Sequence, residues 1–409
     1  MNAQTLHRYT AEVLSFAFSG ACPTSPPAAA PAAAREHADR ILRLFSKSPT
    51  STLVLLGLGE GSVASLLAES MREGERLIVC EADPALARAL AEAGRLGWWT
   101  PESPHSLIAD TSPWALVYLL CQSGVTPLGA TLANNPLSPP PAPSAQGRDP
   151  LKQVQQALRQ GRLKAAINGT PLGHFAVQTP SLSAGCILSP EEPGLERFLA
   201  QVPDWVEELV LLWDAEEVPK RPVQAACPVR QLAHPLDGDF AAQRNRLLAA
   251  CGADWVLMLD ADEDFDPDIW TMLPGLLPLR DVDGFWFQRQ TFYPDEDHYR
   301  VGYGLWPDLQ LRLFRNLPGL RFTGSVHERL EGLPGRVGLV LDAPIRHHTF
   351  TTKDREAIRA KLRGFDAASG GRVAHTLSEE YPHLPNDCLH RAHLLWNEFQ
   401  VLLLPGNPV

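Results

Sequence analysis

Between residues 181 and 260 the chain alternates short apolar runs with amphipathic ones. SAGCILS reads as a strand, PGLERFLAQV as a helix, EELVLLWD as a strand, FAAQRNRLLAACG as a helix and WVLMLD as a strand. Strands separated by helices pair in parallel, because a crossover is needed to bring the chain back to the same edge of the sheet. The pattern commits this region to an α/β fold. Beyond Asp281 it changes to closely spaced strands, GFWFQRQTF, LQLRLFR and RVGLVLD, and from about Lys353 to a helical C-terminus. A second alternation lies upstream, where STLVLLGLGEG reads as a strand and glycine turn, SVASLLAESM as a helix and RLIVCEAD as a strand.

Pro/Ala/Ser-rich segments at 23–34 and 137–150 read as linkers, and a short amphipathic helix follows from Leu151. The expected division is an N-terminal helix and Pro/Ala-rich segment to residue 50, a Rossmann-like domain at 51–136 and a linker with helix at 137–180. A second α/β domain at 181–350 and a helical extension at 351–409 complete it. With a net charge of -11 and no Lys/Arg-rich block, the chain lacks the counterion-releasing surface of a nucleic-acid binder. Seven cysteines lie far apart without a C-x-x-C pair and read as reduced core residues. The sequence holds neither a secretion-type apolar stretch nor a spanning one, so a cytoplasmic protein is expected, with peripheral contact at the inner face of the membrane left open.

Ligands of open α/β sheets sit beyond the carboxyl ends of the parallel strands, so the residues that end each strand are the informative ones. Here they are acidic: SAGCILS leads to Glu191 and Glu192, EELVLLW ends at Asp214, and WVLML ends at Asp260, Asp262 and Glu263. Carboxylates meeting in one crevice repel unless a cation or a donor-rich ligand joins them, which marks this rim as a site for a hard divalent ion. Asp260 and Asp262 stand two apart, so in extended backbone they would share a side and could share a ligand. That suits Mg²⁺ or Mn²⁺ bridging a diphosphate. A helix starting near Pro267 explains Asp264, Asp266 and Asp268 more plainly, as capping acids. An EF-hand calcium loop fits worse, because Phe265 stands at its glycine position and Thr271 at its bidentate Glu position.

Taken in chain order, CILSPEEPGLERFL, DFAAQRNRLLAACGADWVLMLDADED and LQLRLFRN followed by FTGSVHERL resemble the family 2 glycosyltransferases with the GT-A fold, over about residues 181 to 350. The resemblance implies a nucleotide-diphospho-sugar transferase domain and metal-dependent, inverting transfer from a nucleotide sugar, a UDP-sugar first, to a glycan, lipid-linked or protein acceptor. It implies that Glu191, Glu192 and Asp214 line the nucleotide pocket, that Asp260 lies near ribose and metal, and that Asp262 binds the metal with His347 rather than His348. Arg244 and Asn245 would position the nucleotide. A base is needed on the acceptor side. Glu328 in GSVHE is the first candidate and Asp308 in LWPDLQ the second, with His327 orienting either of them or touching phosphate. After Asp214 the sequence AEEVPKRP departs from the family's small, hydroxyl-rich run, which bears on the base contacts and hence on UDP as donor.

In the upstream domain Gly57, Gly59 and Gly61 form a turn that a ligand could approach, and Glu81 stands where a ribose-binding acid belongs. The stretch resembles the nucleotide-binding turn of S-adenosylmethionine-dependent methyltransferases. It also resembles the Rossmann-like domain of bacterial motility accessory factors that glycosylate flagellin. Leu55 replaces the acid that methyltransferases carry before the first glycine, and NNPL at 134–137 matches a catalytic Asn-Pro-Pro only loosely. The expectation is a degenerate, non-catalytic domain that positions the acceptor or mediates assembly. Two readings compete with it: a bifunctional enzyme that also methylates with S-adenosylmethionine, and a non-catalytic scaffold that binds sugar nucleotide or protein.

Overall fold

The computed structural model describes residues 2–16, 30–139, 148–167, 180–324, 328–353, 355–356, 358–359, 378–389 and 398–404. The chain divides into two units, the first made of Met1–Leu163, His298–Asp308 and Glu380–Ala392, the second of Lys164–Asp297, Leu309–Glu379 and His393–Val409. The α/β class expected from the alternation is what both show, as one parallel sheet and one large mixed sheet.

In the first unit, strands β1 (Thr52–Leu56), β2 (Arg76–Glu81), β3 (Ser106–Ala109) and β4 (Thr131–Asn134) lie in the order β3-β2-β1-β4, all parallel. This is a Rossmann-like order, with its switch point between β1 and β4. Every residue of β1 is buried, which is why TLVLL shows no alternation. Helices α3 (Ser62–Ser70), α4 (Pro84–Glu92) and α5 (Pro113–Gln122) follow the first three strands. Asp83 and Ser112 cap α4 and α5, with proline in the first turn of each, where a missing N–H costs nothing.

Helices α1 (Ala3–Ser15), α2 (Pro31–Phe45) and α6 (Pro150–Gln160) complete the helical layer. The expected linker at 23–34 is corrected over its described part: Pro31 opens α2, and Ala34 and Ala38 belong to the core, while 23–29 lie outside the described residues. Alanine loses the least on entering a helix, so an Ala-rich run reads as low complexity and still folds. Strands β12 (His298–Arg300) and β17 (His383–Pro385) pair antiparallel. Trp306 packs edge-on to Tyr9 and Tyr118.

The strands of the large sheet are β5 (Arg162–Ile167), β6 (Leu182–Leu188), β7 (Glu208–Trp213), β8 (Val229–Ala233), β9 (Trp255–Met258), β11 (Val282–Thr291), β13 (Leu309–Arg315), β16 (Arg336–His347) and β18 (Glu398–Leu404). They lie in the order β5-β18-β16-β11-β13-β9-β6-β7-β8, and a two-residue strand β10 (Glu263–Asp264) pairs with β16. Strand β6 runs parallel to β7 and β9, and β7 to β8; β13 is antiparallel to both β9 and β11, which runs parallel to β16. Helices α7 (Leu195–Gln201), α8 (Phe240–Ala250), α9 (Pro267–Met272) and α10 (Thr349–Thr352), with the short pair β14 (Arg321–Thr323) and β15 (Arg329–Glu331), fill out this unit.

Two expectations change. RLKAA, read as the tail of the helix from Leu151, belongs to β5, because α6 stops at Gly161, its C-cap. In the expected helical extension residues 355–356 and 358–359 are helical, but the described residues further on include the strands β17 and β18. Strand β18 runs antiparallel to β16, with Phe399, Val401, Leu402, Leu403 and Leu404 all buried, and an unbroken apolar run suits a covered strand better than an amphipathic helix. Among the described residues no helix is long and apolar enough to cross a membrane.

Candidate active site

The carboxyl ends of β6, β7 and β9 form one rim of the large sheet, and the acids singled out in the sequence stand on it. Asp214 follows β7, pinned by its own N–H to the Leu188 carbonyl at 2.7 Å. One of its carboxylate oxygens accepts from the Leu236 N–H at 2.7 Å. After β6, Glu191 is exposed and Glu192 is half-buried. The loop that carries them lies against the turn after β9, so closely that a Cβ on Gly194 would come within 2.7 Å of the Ala261 carbonyl oxygen.

Asp260 and Asp262 do not share an extended backbone, which corrects the expectation. Beyond β9 the chain turns, with the Glu263 N–H donating to the Asp260 carbonyl at 2.9 Å and the Asp260 N–H donating to the Glu263 carboxylate at 3.1 Å. The turn sends the two aspartates to different partners. Asp260 accepts from Arg312 at 2.6 Å and from Arg244 at 3.4 Å. Partial burial would raise its carboxyl, but the two guanidiniums outweigh that and hold it well below the usual carboxylate range. Arg312 also binds Glu263 at 2.5 Å, and Arg289 meets the same oxygen at 3.0 Å. Burial works against the charge on Arg312, yet Asp260 and Glu263 keep it ionised.

Asp262 is 4% exposed. Its carboxylate lies 3.6 Å from His347 Nε2 and 3.2 Å from the Lys353 ammonium. Sheet register delivers the histidine: β10 pairs Glu263 with His347 and Asp264 with Arg346, so the far end of β16 meets the turn after β9. His347 Nδ1 shares a 2.9 Å hydrogen bond with Thr291, its register partner on β11. Burial, then the nearby Arg289 charge, lowers the pKa of the imidazole, so its neutral form is favoured. His348 turns instead to Asp264 at 2.9 Å, and Asp264 also binds Arg346. Asp266 caps α9 through the Asp268 N–H, as the plainer reading of that acid run expected.

Glu328, the first candidate base, is paired with Arg244, whose guanidinium thereby joins Glu328 to Asp260. Asn245 has a structural task, with its amide donating to the Phe322 carbonyl at 2.9 Å and accepting the Phe322 N–H at 2.7 Å. It fixes β14, the strand that leads toward Glu328. Asp308 falls in the 298–308 segment of the other unit. His327 lies outside the described residues.

Among the described residues no three His, Cys, Asp or Glu side chains are arranged as a ready metal cage. A partial donor set does fit a hard cation. Asp262 and His347 face each other, the Glu192 Oε1 atom is buried without a hydrogen bond, and the Lys353 ammonium stands between Glu192, at 3.9 Å, and Asp262. Asp260, expected as a third ligand, spends both oxygens on arginines. Sequence reasoning missed Arg312, Arg289 and Lys353. Arg312 left one trace, a charge inside the apolar strand LQLRLFR; Lys353 left none.

In the first unit Gly57, Gly59 and Gly61 have φ of 91°, 62° and 97°, the left-handed region that favours glycine. What approaches them is the chain itself. A Cβ on Gly57 would meet Ser138 Oγ at 2.5 Å, and one on Gly59 would meet Asn135 Nδ2 at 2.8 Å. Asn135 donates to the Leu58 carbonyl at 3.1 Å. Glu81 accepts the N–H groups of Leu58 at 2.8 Å and Asp83 at 2.9 Å. Burial raises the Glu81 carboxyl, against the pull of these donors.

No protein-family model matches the chain. A TPR repeat-containing protein of Synechococcus elongatus is 34% identical over 147 residues, which are 36% of this chain and 34% of that protein. The lipopolysaccharide core biosynthesis glycosyltransferase LpsC of Rhizobium meliloti is 29% identical over 145 residues, 34% of this chain and 50% of LpsC. Among solved structures, S. aureus TarS 1-349 aligns with a TM-score of 0.30 and 12% identity, over 46% of this chain and 65% of that one. Its complex with UDP-GlcNAc gives the same TM-score of 0.30 and 12% identity, over 46% and 66%. The chain is thus similar to two curated proteins and spans only 34% and 50% of their lengths.

Proposed function

We propose that this protein is a glycosyltransferase of the family 2 type that moves a sugar, with inversion, from a nucleoside-diphosphate donor to a glycan, lipid-linked or protein acceptor. One observation carries the reading: Asp214, Asp260 and Asp262 stand on one rim of the large sheet, and Arg244 joins Asp260 to the acceptor-side Glu328. The likeness to LpsC, itself described as a glycosyltransferase, supports it. A UDP-sugar is the first donor to test.

In this reading Asp214 and Asp260 bind the ribose and base, with Glu191 and Glu192 beside them. Asp262 and His347 would hold Mn²⁺ or Mg²⁺, which when bound offsets the charge on the departing diphosphate. Glu328 takes the proton of the acceptor hydroxyl as that oxygen attacks the anomeric carbon and the bond to the diphosphate breaks. Arg244 sets the direction of the Glu328 carboxylate. The glycine turn of the first unit binds no ligand in this reading, because residues 135–138 occupy its approach.

The test is a donor screen that follows release of nucleoside diphosphate with Mg²⁺ and Mn²⁺. One donor should turn over; Asp262→Ala should abolish turnover, and Glu328→Gln should lower kcat by about 10²-fold or more while the donor KM stays put. Both variants should keep the wild-type circular dichroism. Failure of every common nucleotide sugar would remove the reading in favour of a binding scaffold.

A further inference from the structure

Lys353 was not singled out from the sequence, and no role in the proposed reaction has yet been given to it. It follows α10, with its N–H donating to the Thr349 carbonyl at 3.2 Å, and its side chain is 19% exposed. The ammonium lies 3.2 Å from Asp262 and 3.9 Å from Glu192, beside the imidazole of His347 that faces the same Asp262. Glu192 Oε1 is buried and makes no hydrogen bond, so the ammonium is the charge that compensates it. The arginines nearby are fixed on other carboxylates, Arg312 and Arg289 on Glu263, and Arg346 on Asp264.

We propose that Lys353 is a resident cation: it holds the metal place of the donor site and withdraws when a divalent ion binds. The inference rests on the proposed donor site and deepens it. A lysine suits the task where an arginine does not, since its charge is a compact point on a flexible four-carbon stem and needs no planar partner. In the protein without donor, the ammonium keeps Asp262 and Glu192 from repelling each other. A divalent ion competes for the same oxygens, so its affinity for the free protein is reduced by the cost of displacing the lysine. The displaced ammonium then has an anionic partner only when a diphosphate is present. Metal and donor therefore strengthen each other's binding, and by linkage they do so by the same factor.

The experiment uses the full chain without donor and reads Mn²⁺ binding alone, from the paramagnetic resonance signal of the free aqueous ion. Lys353→Met, which keeps the stem and loses the charge, should lower the Kd for Mn²⁺ about tenfold or more. Lys353→Arg, which keeps the charge, should bind Mn²⁺ no more tightly than the wild type, and Asp262→Asn should abolish binding in either background. Equal or weaker Mn²⁺ binding in Lys353→Met, with unchanged circular dichroism, overturns the proposal. Lys353→Gln is read by the same rule should the Met variant fail to fold. Tighter Mn²⁺ binding in Lys353→Met without turnover of any donor would sink sugar transfer and leave the resident cation standing. Turnover in EDTA, with neither protein binding Mn²⁺, would do the reverse.

Discussion

Arg312 shows how one residue can set the state of a site without facing a ligand. Its side chain is 4% exposed and bridges Asp260 and Glu263, so the charge of the turn after β9 is balanced within the protein. Replacing it with methionine would leave the buried Glu263 with Arg289 alone and Asp260 with Arg244 alone. Arg312→Met should destabilise by about 3–5 kcal/mol, the usual cost of removing one partner from a buried ion pair, as read by urea unfolding at pH 7. The acid limb should move as well. A carboxyl depressed in the folded state contributes stability above its unfolded value of about 4 and loses it only as pH falls toward the folded value. Asp260 is such a group, so the wild type keeps this contribution down to about pH 4, and the variant should begin to unfold at higher pH. The aspartates were legible in the sequence because each ends an apolar strand. Arg312 was not, because a single charge inside a strand has no partner until register supplies one.

At the level of elements, the site is made by pairings that no local pattern announces. β10 is two residues long, too short to show a period, yet it sets His347 opposite Glu263. The strand and helix alternation from 181 to 260 was legible because parallel strands need crossovers. The turn that separates Asp260 from Asp262 was not, since it depends on a hydrogen bond between Glu263 and Asp260. β18 was missed because an unbroken apolar run has no period to tell strand from helix. Gly194 tests how closely two of these elements must approach. Gly194→Ala would set a methyl 2.7 Å from the Ala261 carbonyl and push the turn that carries both aspartates. It should cost about 1–3 kcal/mol, the range for overpacking, and lower the rate of donor turnover. Unchanged melting and turnover would show that the turn gives way freely.

For the whole molecule the class of both sheets was legible from the strand and helix alternation, whereas the order of parts was not. The sequence reads as a line of domains, whereas the first unit is assembled from Met1–Leu163, His298–Asp308 and Glu380–Ala392. Long-range assembly of this kind leaves no composition signal. Its glycine turn also carries a prediction. A ligand that binds only the folded protein raises its melting temperature, by about 2.7 kcal/mol of stability at a hundredfold excess over Kd. S-adenosylmethionine should therefore leave the Tm unchanged, whereas the nucleoside diphosphate of the true donor should raise it. A rise with S-adenosylmethionine would mean that Asn135 and Ser138 move aside, and would restore the bifunctional reading.

The three-part first unit also decides how the protein can be dissected. A fragment starting at Lys164 would still carry Tyr299, Val301, Trp306 and Leu384, all at most 2% exposed in the intact chain, but would lack α1 and α5, whose Tyr9 and Tyr118 pack on Trp306. Those bare side chains would invite self-association. A soluble excised half would need both insertions replaced by short polar loops, because the chain passes between the two units at five points rather than one.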